Sequence, residues 1–144
     1  MNIIKVFEAA FKRMKEKNWD YIYVMVDVHG TIFKPCYKNE ENFEEYPFAR
    51  KALHLMSENP KIKIILWSST RRAVMNDYFL ALTPDVYVDF INGNDDVTVT
   101  KDDVDSMDFS MKPYFNVGID DKFGFEPETD WEEIYNWLKK LKYE

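Results

Sequence analysis

The chain has 144 residues, 46% of them hydrophobic and 17% aromatic, with a formal net charge of −7. That length suits a single domain over residues 1–144 with a sizeable core, and the composition excludes a disordered chain. The acid excess disfavours broad electrostatic binding to long nucleic acid, while leaving room for a local cationic site that holds one phosphate. The lone cysteine, Cys36, excludes an internal disulfide and a cysteine-based zinc site, and favours a reducing compartment. Charges break the amino-terminal apolar run, so it is not a signal peptide, and no stretch approaches membrane-spanning length. The expectation is a cytoplasmic protein with no membrane partner.

In chain order, Phe7, Ala10, Phe11 and Met14 fall at helical spacing, which predicts an amphipathic helix over residues 2–17. The apolar run at 21–26 predicts a buried strand that delivers Asp27 at its carboxyl end. Residues 33–42 read as a loop or short flap. Pro47, followed by Phe48, Ala52, Leu55 and Met56, predicts a second helix that Asn59-Pro60 ends. A second strand is expected over 61–67, and Ser68-Ser69-Thr70 is placed to cap a third helix over about 71–81. Further strands are expected over 86–91 and 114–119, separated by an acidic, poorly periodic stretch at 94–111. Thr129 and Glu132 form a capping-box pattern. Trp131, Ile134, Tyr135, Leu138 and Leu141 then trace a last helix.

Strands alternating with helices predict an α/β fold, Rossmann-like, with three α/β/α layers and a mainly parallel sheet. In such a sheet the carboxyl ends of the strands share one edge, and ligands bind there. That edge would gather Asp27, Ser68 and Asp120-Asp121, with Lys112 just before the last strand. A carboxylate nucleophile, a hydroxyl, an ammonium and paired acids suit phosphoryl transfer. A metal and a lysine would screen the repulsion between carboxylate and phosphate and stabilise transition-state charge. Hard oxygen ligands favour Mg²⁺.

The order Asp27-Val-His29-Gly30-Thr31, Ser68 after Ile64-Ile-Leu-Trp67, Lys112-Pro113, and Asp120-Asp121 resembles the haloacid dehalogenase superfamily. The resemblance covers residues 21–121. It implies a Mg²⁺-dependent phosphatase that works through an aspartyl phosphate. Asp27 would be the nucleophile. Asp27, the His29 carbonyl and Asp120 or Asp121 would hold Mg²⁺. Ser68 would hydrogen-bond a phosphate oxygen and Lys112 would offset charge, while Gly30, Thr31, Ser69 and Arg71 would lie around the substrate. His29 departs from the family pattern, which has a second Asp there as acid and base. A histidine could donate a proton near neutral pH, or simply pack.

About 36 residues separate Thr31 from Ser68, which leaves no room for a large cap domain. Capless members of the family accept bulky phosphorylated substrates or close their sites by oligomerising, and the oligomeric state stays open. Two other readings remain. One is a weak or inactive domain that binds a phosphorylated ligand or protein. The other is a polynucleotide-end phosphatase, with Arg71, Arg72, Lys34 and Lys38 on the backbone. Arg71-Arg72 in a first helical turn oppose the helix dipole, which hints at an anion. The stretch with Asp95-Asp96 and Asp102-Asp103 lacks the glycine and glutamate of a calcium loop and reads as a solvated acidic loop. His54 receives no role.

Overall fold

The computed structural model describes residues 2–35, 43–68, 72–94, 96 and 114–142. Among these residues, helix α1 (Ile3–Lys17) leads into β1 (Ile22–Asp27), then α2 (Ala49–Glu58), β2 (Ile62–Trp67) and α3 (Arg72–Leu82). Strands β3 (Phe90–Ile91) and β4 (Val117–Ile119) and helix α4 (Asp130–Lys142) complete the order. The sheet is parallel throughout, ordered β3-β2-β1-β4. The architecture is α/β and Rossmann-like, of the three-layer α/β/α kind. Chain direction across the sheet reverses between β1 and β4, which places the topological switch point beside Asp27 and Asp120.

Pleating sorts the strand residues into two faces. Ile22, Val24 and Val26 of β1, Ile62, Ile64 and Leu66 of β2, and Val117 and Ile119 of β4 join the main core with Phe7, Leu53, Met56, Trp131 and Ile134. On the opposite face Met25 and Ile65 are also buried. Met25 is aligned with Gly118 across the β1–β4 pair, so Asp27 and Asp120, two residues further along each strand, lie on that second face. Gly118 cannot carry a side chain without disturbance. A Cβ there would lie 2.8 Å from the Phe123 ring and 3.0 Å from that of Phe115.

Helix α1 opens with Asn2, whose side chain accepts the Lys5 N–H at 3.3 Å. It closes on Asn18 in the left-handed region, with Lys15 and Lys17 in its last turn, where cations suit the helix dipole. Helix α4 starts differently from the expected capping box. The Thr129 N–H is already bonded to the Glu126 carbonyl at 3.1 Å, and the Asp130 carboxylate accepts the Glu126 N–H at 2.8 Å. Glu132 therefore has no such amide to cap.

Two strands are shorter than hydropathy predicts, for one shared reason. Asp89 donates its N–H to the Ile64 carbonyl at 3.0 Å, and its carboxylate accepts the Ile64 N–H at 2.8 Å. Asn116 does the same to Tyr23, with both contacts at 2.8 Å. In each case a side-chain oxygen takes the place of a strand carbonyl. The ladder then begins only after that residue, at Phe90 in β3 and at Val117 in β4, rather than at 86 and 114.

No helix among the described residues is long and apolar enough to cross a membrane.

Candidate functional site

β1 ends on Asp27, and the chain then turns back tightly. The N–H groups of Ile32 and Phe33 both reach the Val28 carbonyl, at 3.0 and 3.2 Å. Gly30 sits at φ +74°, a conformation that favours glycine, and its N–H donates to the Phe33 carbonyl at 2.9 Å. A Cβ at Gly30 would press on the Asp121 carboxylate at 3.3 Å. The turn therefore needs a glycine for both its backbone and its space.

Thr31 is the centre of this loop and is fully buried. Its hydroxyl donates to Asp27 Oδ2 at 3.2 Å and accepts the Asp121 N–H at 3.3 Å. Its carbonyl accepts the buried Trp131 indole N–H at 2.7 Å. One threonine thus ties β1, the segment after β4 and helix α4 together.

The carboxylates of Asp27, Asp120 and Asp121 converge, each offering an oxygen within 4.8 Å of the others. Asp120 is 8% exposed, and its Oδ1 accepts the Lys122 N–H at 2.9 Å, which caps the short 3₁₀ turn Asp121–Phe123. The Asp27 carboxyl is pushed up to about 7, first by burial and then by repulsion from Asp120 and Asp121, against the lowering by the Thr31 hydroxyl. Asp121 is also pushed up, by burial and then by its hydrogen bond and repulsion with Asp120. With no cation to offset its neighbours, the Asp27 carboxyl holds its proton up to about pH 7. A hard divalent cation would replace that proton and take oxygen ligands from all three acids, so the donor set fits Mg²⁺.

His29 points elsewhere. Its Nε2 lies 2.6 Å from the Tyr78 hydroxyl of α3, with the two rings edge to face at 4.8 Å. Burial holds its pKa below the ordinary value, so the ring is neutral at pH 7. Tyr78 is itself fully buried and stacks on Phe33, centroids 5.0 Å apart.

Ser68 follows β2 directly and is 7% exposed. Its N–H donates to Asn92 Oδ1 at 2.9 Å, while the Asn92 N–H donates to the Leu66 carbonyl at 2.8 Å. Asn92, in the left-handed region at φ 54°, thereby fixes the backbone of Ser68 at the sheet edge. Sequence reasoning missed Asn92; its signal was the Asn92-Gly93 pair at the end of a predicted strand. The expected site residues Lys112, Ser69 and Arg71 lie outside the described residues, as do Lys38 and most of the acidic stretch. Asp96 of that stretch is described, and it pairs with Lys63 at 2.5 Å and accepts from the Tyr23 hydroxyl at 3.2 Å.

The flap predicted at 33–42 has a defined stem. Lys34 N–H donates to the Glu44 carbonyl at 2.8 Å, and Tyr46 N–H to the Ile32 carbonyl at 3.0 Å. Arg50 anchors this stem from α2. Its guanidinium meets Glu45 at 2.8 Å, Asp85 at 3.0 Å, and the carbonyls of Ala81 and Leu82 at the end of α3. No sequence pattern marks this arginine. His54, given no role from sequence, donates from Nδ1 to the Asp85 carbonyl and pairs with Glu58, which Lys142 also reaches at 3.2 Å.

A cavity of about 670 Å³ lies at the opposite, amino end of the strands, floored by Phe11, Leu55, Trp137 and Leu141. It contains none of the acidic cluster.

No family model and no curated protein matches this chain. Among solved structures, it is similar to a conserved protein from Bacteroides thetaiotaomicron at 26% identity, with a TM-score of 0.59. The match covers 84% of this chain and 92% of that one, which supports the α/β architecture described above.

Proposed function

We propose that this chain is a Mg²⁺-dependent phosphate monoester hydrolase of the haloacid dehalogenase type. The observation that carries the reading is the convergence of Asp27, Asp120 and Asp121 at the switch point of a parallel sheet. Asp27, the His29 carbonyl and the Asp120 and Asp121 carboxylates would hold the ion. When bound, Mg²⁺ would neutralise the cluster and the incoming phosphate.

The remaining work falls to the chain's own groups. Thr31 donates to Asp27 Oδ2 and so helps hold the carboxylate in one orientation. A carboxylate oxygen of Asp27 would form a bond to phosphorus as the ester oxygen departs, giving an aspartyl phosphate. Water then cleaves the acyl phosphate, restoring Asp27 and releasing phosphate. Ser68 would donate to a phosphoryl oxygen, with Asn92 holding its backbone. Lys112 is the proposed counter-charge, and Ser69 and Arg71 are proposed to contact the substrate. The cytoplasm is the proposed location.

The experiment is hydrolysis of an aryl phosphate with and without Mg²⁺, by the natural chain and by Asp27→Asn. Metal-dependent turnover lost in the variant is expected. Equal turnover by both would place the chemistry elsewhere.

One observation favours a second reading. The His29 ring is committed to Tyr78 rather than turned to the acids. A site in which His29 does not serve as the acid suits a domain that binds a phosphorylated ligand without turning it over. Phosphate binding in Mg²⁺ with no hydrolysis of any ester would select this reading.

A further inference from the structure

Helix α4 packs against both α1 and α2, and residues of all three belong to the main core. At the amino end of the strands the three helices do not close on one another. They surround the cavity of about 670 Å³ whose floor is Phe11, Leu55, Trp137 and Leu141. That volume lies within the range of pockets that enclose small molecules, about 300–1,000 Å³. The floor is braced by the core, because Trp137 tilts against Phe7 and Phe11 with centroids 5.3 and 5.7 Å away.

The rim carries the opposite sign of charge from the chain as a whole, which is −7. Lys12, Lys15, Lys61 and Lys142 face two acids, Glu8 and Glu58. Glu58 is already engaged by Lys142 at 3.2 Å and by His54. Lys12, Lys15 and Lys61 form no ion pair among the described residues. Lys15 lies in the last turn of α1, where it offsets the helix dipole. Lys12 and Lys61 lie outside any last helical turn, so the dipoles do not account for them. A polar anion would pair with these lysines and leave the apolar floor wet. A plain hydrocarbon would cover the floor and leave the lysines unpaired. A molecule with an apolar body and an anionic head satisfies both.

We propose that this cavity is a second binding site, apart from the acidic edge, for a small amphiphilic anion: a medium-length acyl chain that ends in a carboxylate. The chain lies on Trp137 and Leu141, and the head meets the Lys12 and Lys61 rim. The inference does not rest on the hydrolase reading.

The probes are octanoate, below micelle-forming concentrations, and octanol, which has the same body and no charge. Binding is read from the Trp137 indole N–H resonance, assigned with Trp137→Phe. Wild type, the double variant Lys12→Gln/Lys61→Gln and Leu141→Asp are compared, with thermal melts to show that each is folded; all three positions are exposed. Octanoate should shift the Trp137 resonance saturably in wild type. Each exposed lysine–anion contact is worth about two- to fivefold in affinity, so the double variant should bind octanoate about fourfold or more weakly. Octanol affinity should change by less than about twofold in the double variant, because no charge pair is lost. Leu141→Asp puts an acid in the floor and should abolish binding of both. An octanoate affinity unchanged in the double variant, an equal loss for octanol, or binding that survives in Leu141→Asp overturns the inference. So does an absent shift in wild type. In that case pelleting with anionic but not neutral phospholipid vesicles would assign the cavity to a membrane surface, and a concentration-dependent dimer lost in Leu141→Asp would assign it to a second copy of this chain.

Discussion

The cluster of three acids makes the stability of the metal-free protein depend on pH in an unusual direction. Asp27 is raised from 3.8 to about 7 in the folded chain. A carboxyl raised on folding stabilises the fold fully below its unfolded pKa, and that stabilisation is lost as pH rises through the folded value. The window is therefore about pH 4 to 7. Three units would amount to ~4 kcal/mol as a ceiling, and solvent reaching the partly open Asp27 reduces this to ~1–2 kcal/mol. For a chain of this length that corresponds to a fall in Tm of roughly 3–6 °C between pH 5 and 8. Asp121 is raised too and adds in the same direction. His29 is lowered, so its contribution runs the other way, with stability gained as pH rises through its titration. Asp96 and Glu58 are lowered by Lys63 and Lys142 and act only in the acid range below this window. The assay is a thermal melt in chelator from pH 5 to 8, for wild type and Asp27→Asn, repeated with millimolar Mg²⁺. The wild-type Tm should fall relative to the variant, and Mg²⁺ should restore it at pH 8. If wild type and Asp27→Asn show the same slope in chelator, the carboxyl is not strained by its neighbours and the electrostatic reasoning is wrong.

Trp131→Phe keeps a ring and removes the N–H that reaches the Thr31 carbonyl; a loss of ~1–3 kcal/mol in urea unfolding is expected, with weaker Mg²⁺ binding by calorimetry. Gly118→Ala should cost ~1–2 kcal/mol, because the new methyl meets the Phe123 and Phe115 rings, and a Tm unchanged within error would contradict the packing described. Arg50→Ala releases Glu45 and the end of α3; hydrogen exchange should rise at Lys34 and Tyr46 in the flap stem while the β1 amides stay protected.

Much of this arrangement was legible in the sequence. The apolar runs of β1 and β2, the helical spacing of Phe7 and Met14, and acids at two strand ends locate both the sheet and its working edge. Asp27 and Asp120 converge because each follows a buried strand in the same register. Other features left no periodic signal. Asp89 and Asn116 shorten their strands by accepting ladder N–H groups through their side chains, so hydropathy alone runs three to four residues too long. Asn92 supports Ser68 in the same way. At His29 the sequence leaves a proton donor and a packing residue both open, and its partner Tyr78 lies 49 residues away, a contact that local pattern cannot show. Arg50 gathers acids and carbonyls from three segments, and only the folded chain brings them together.

The central claim is that Asp27 takes a phosphoryl group beside Mg²⁺. Beryllofluoride mimics that group on a carboxylate, and ¹⁹F NMR reads it directly. With Mg²⁺, the wild-type protein should give a bound fluoride resonance that disappears in chelator and is absent in Asp27→Asn. A bound resonance that persists in Asp27→Asn, or none in a wild-type protein shown to bind Mg²⁺, would contradict it.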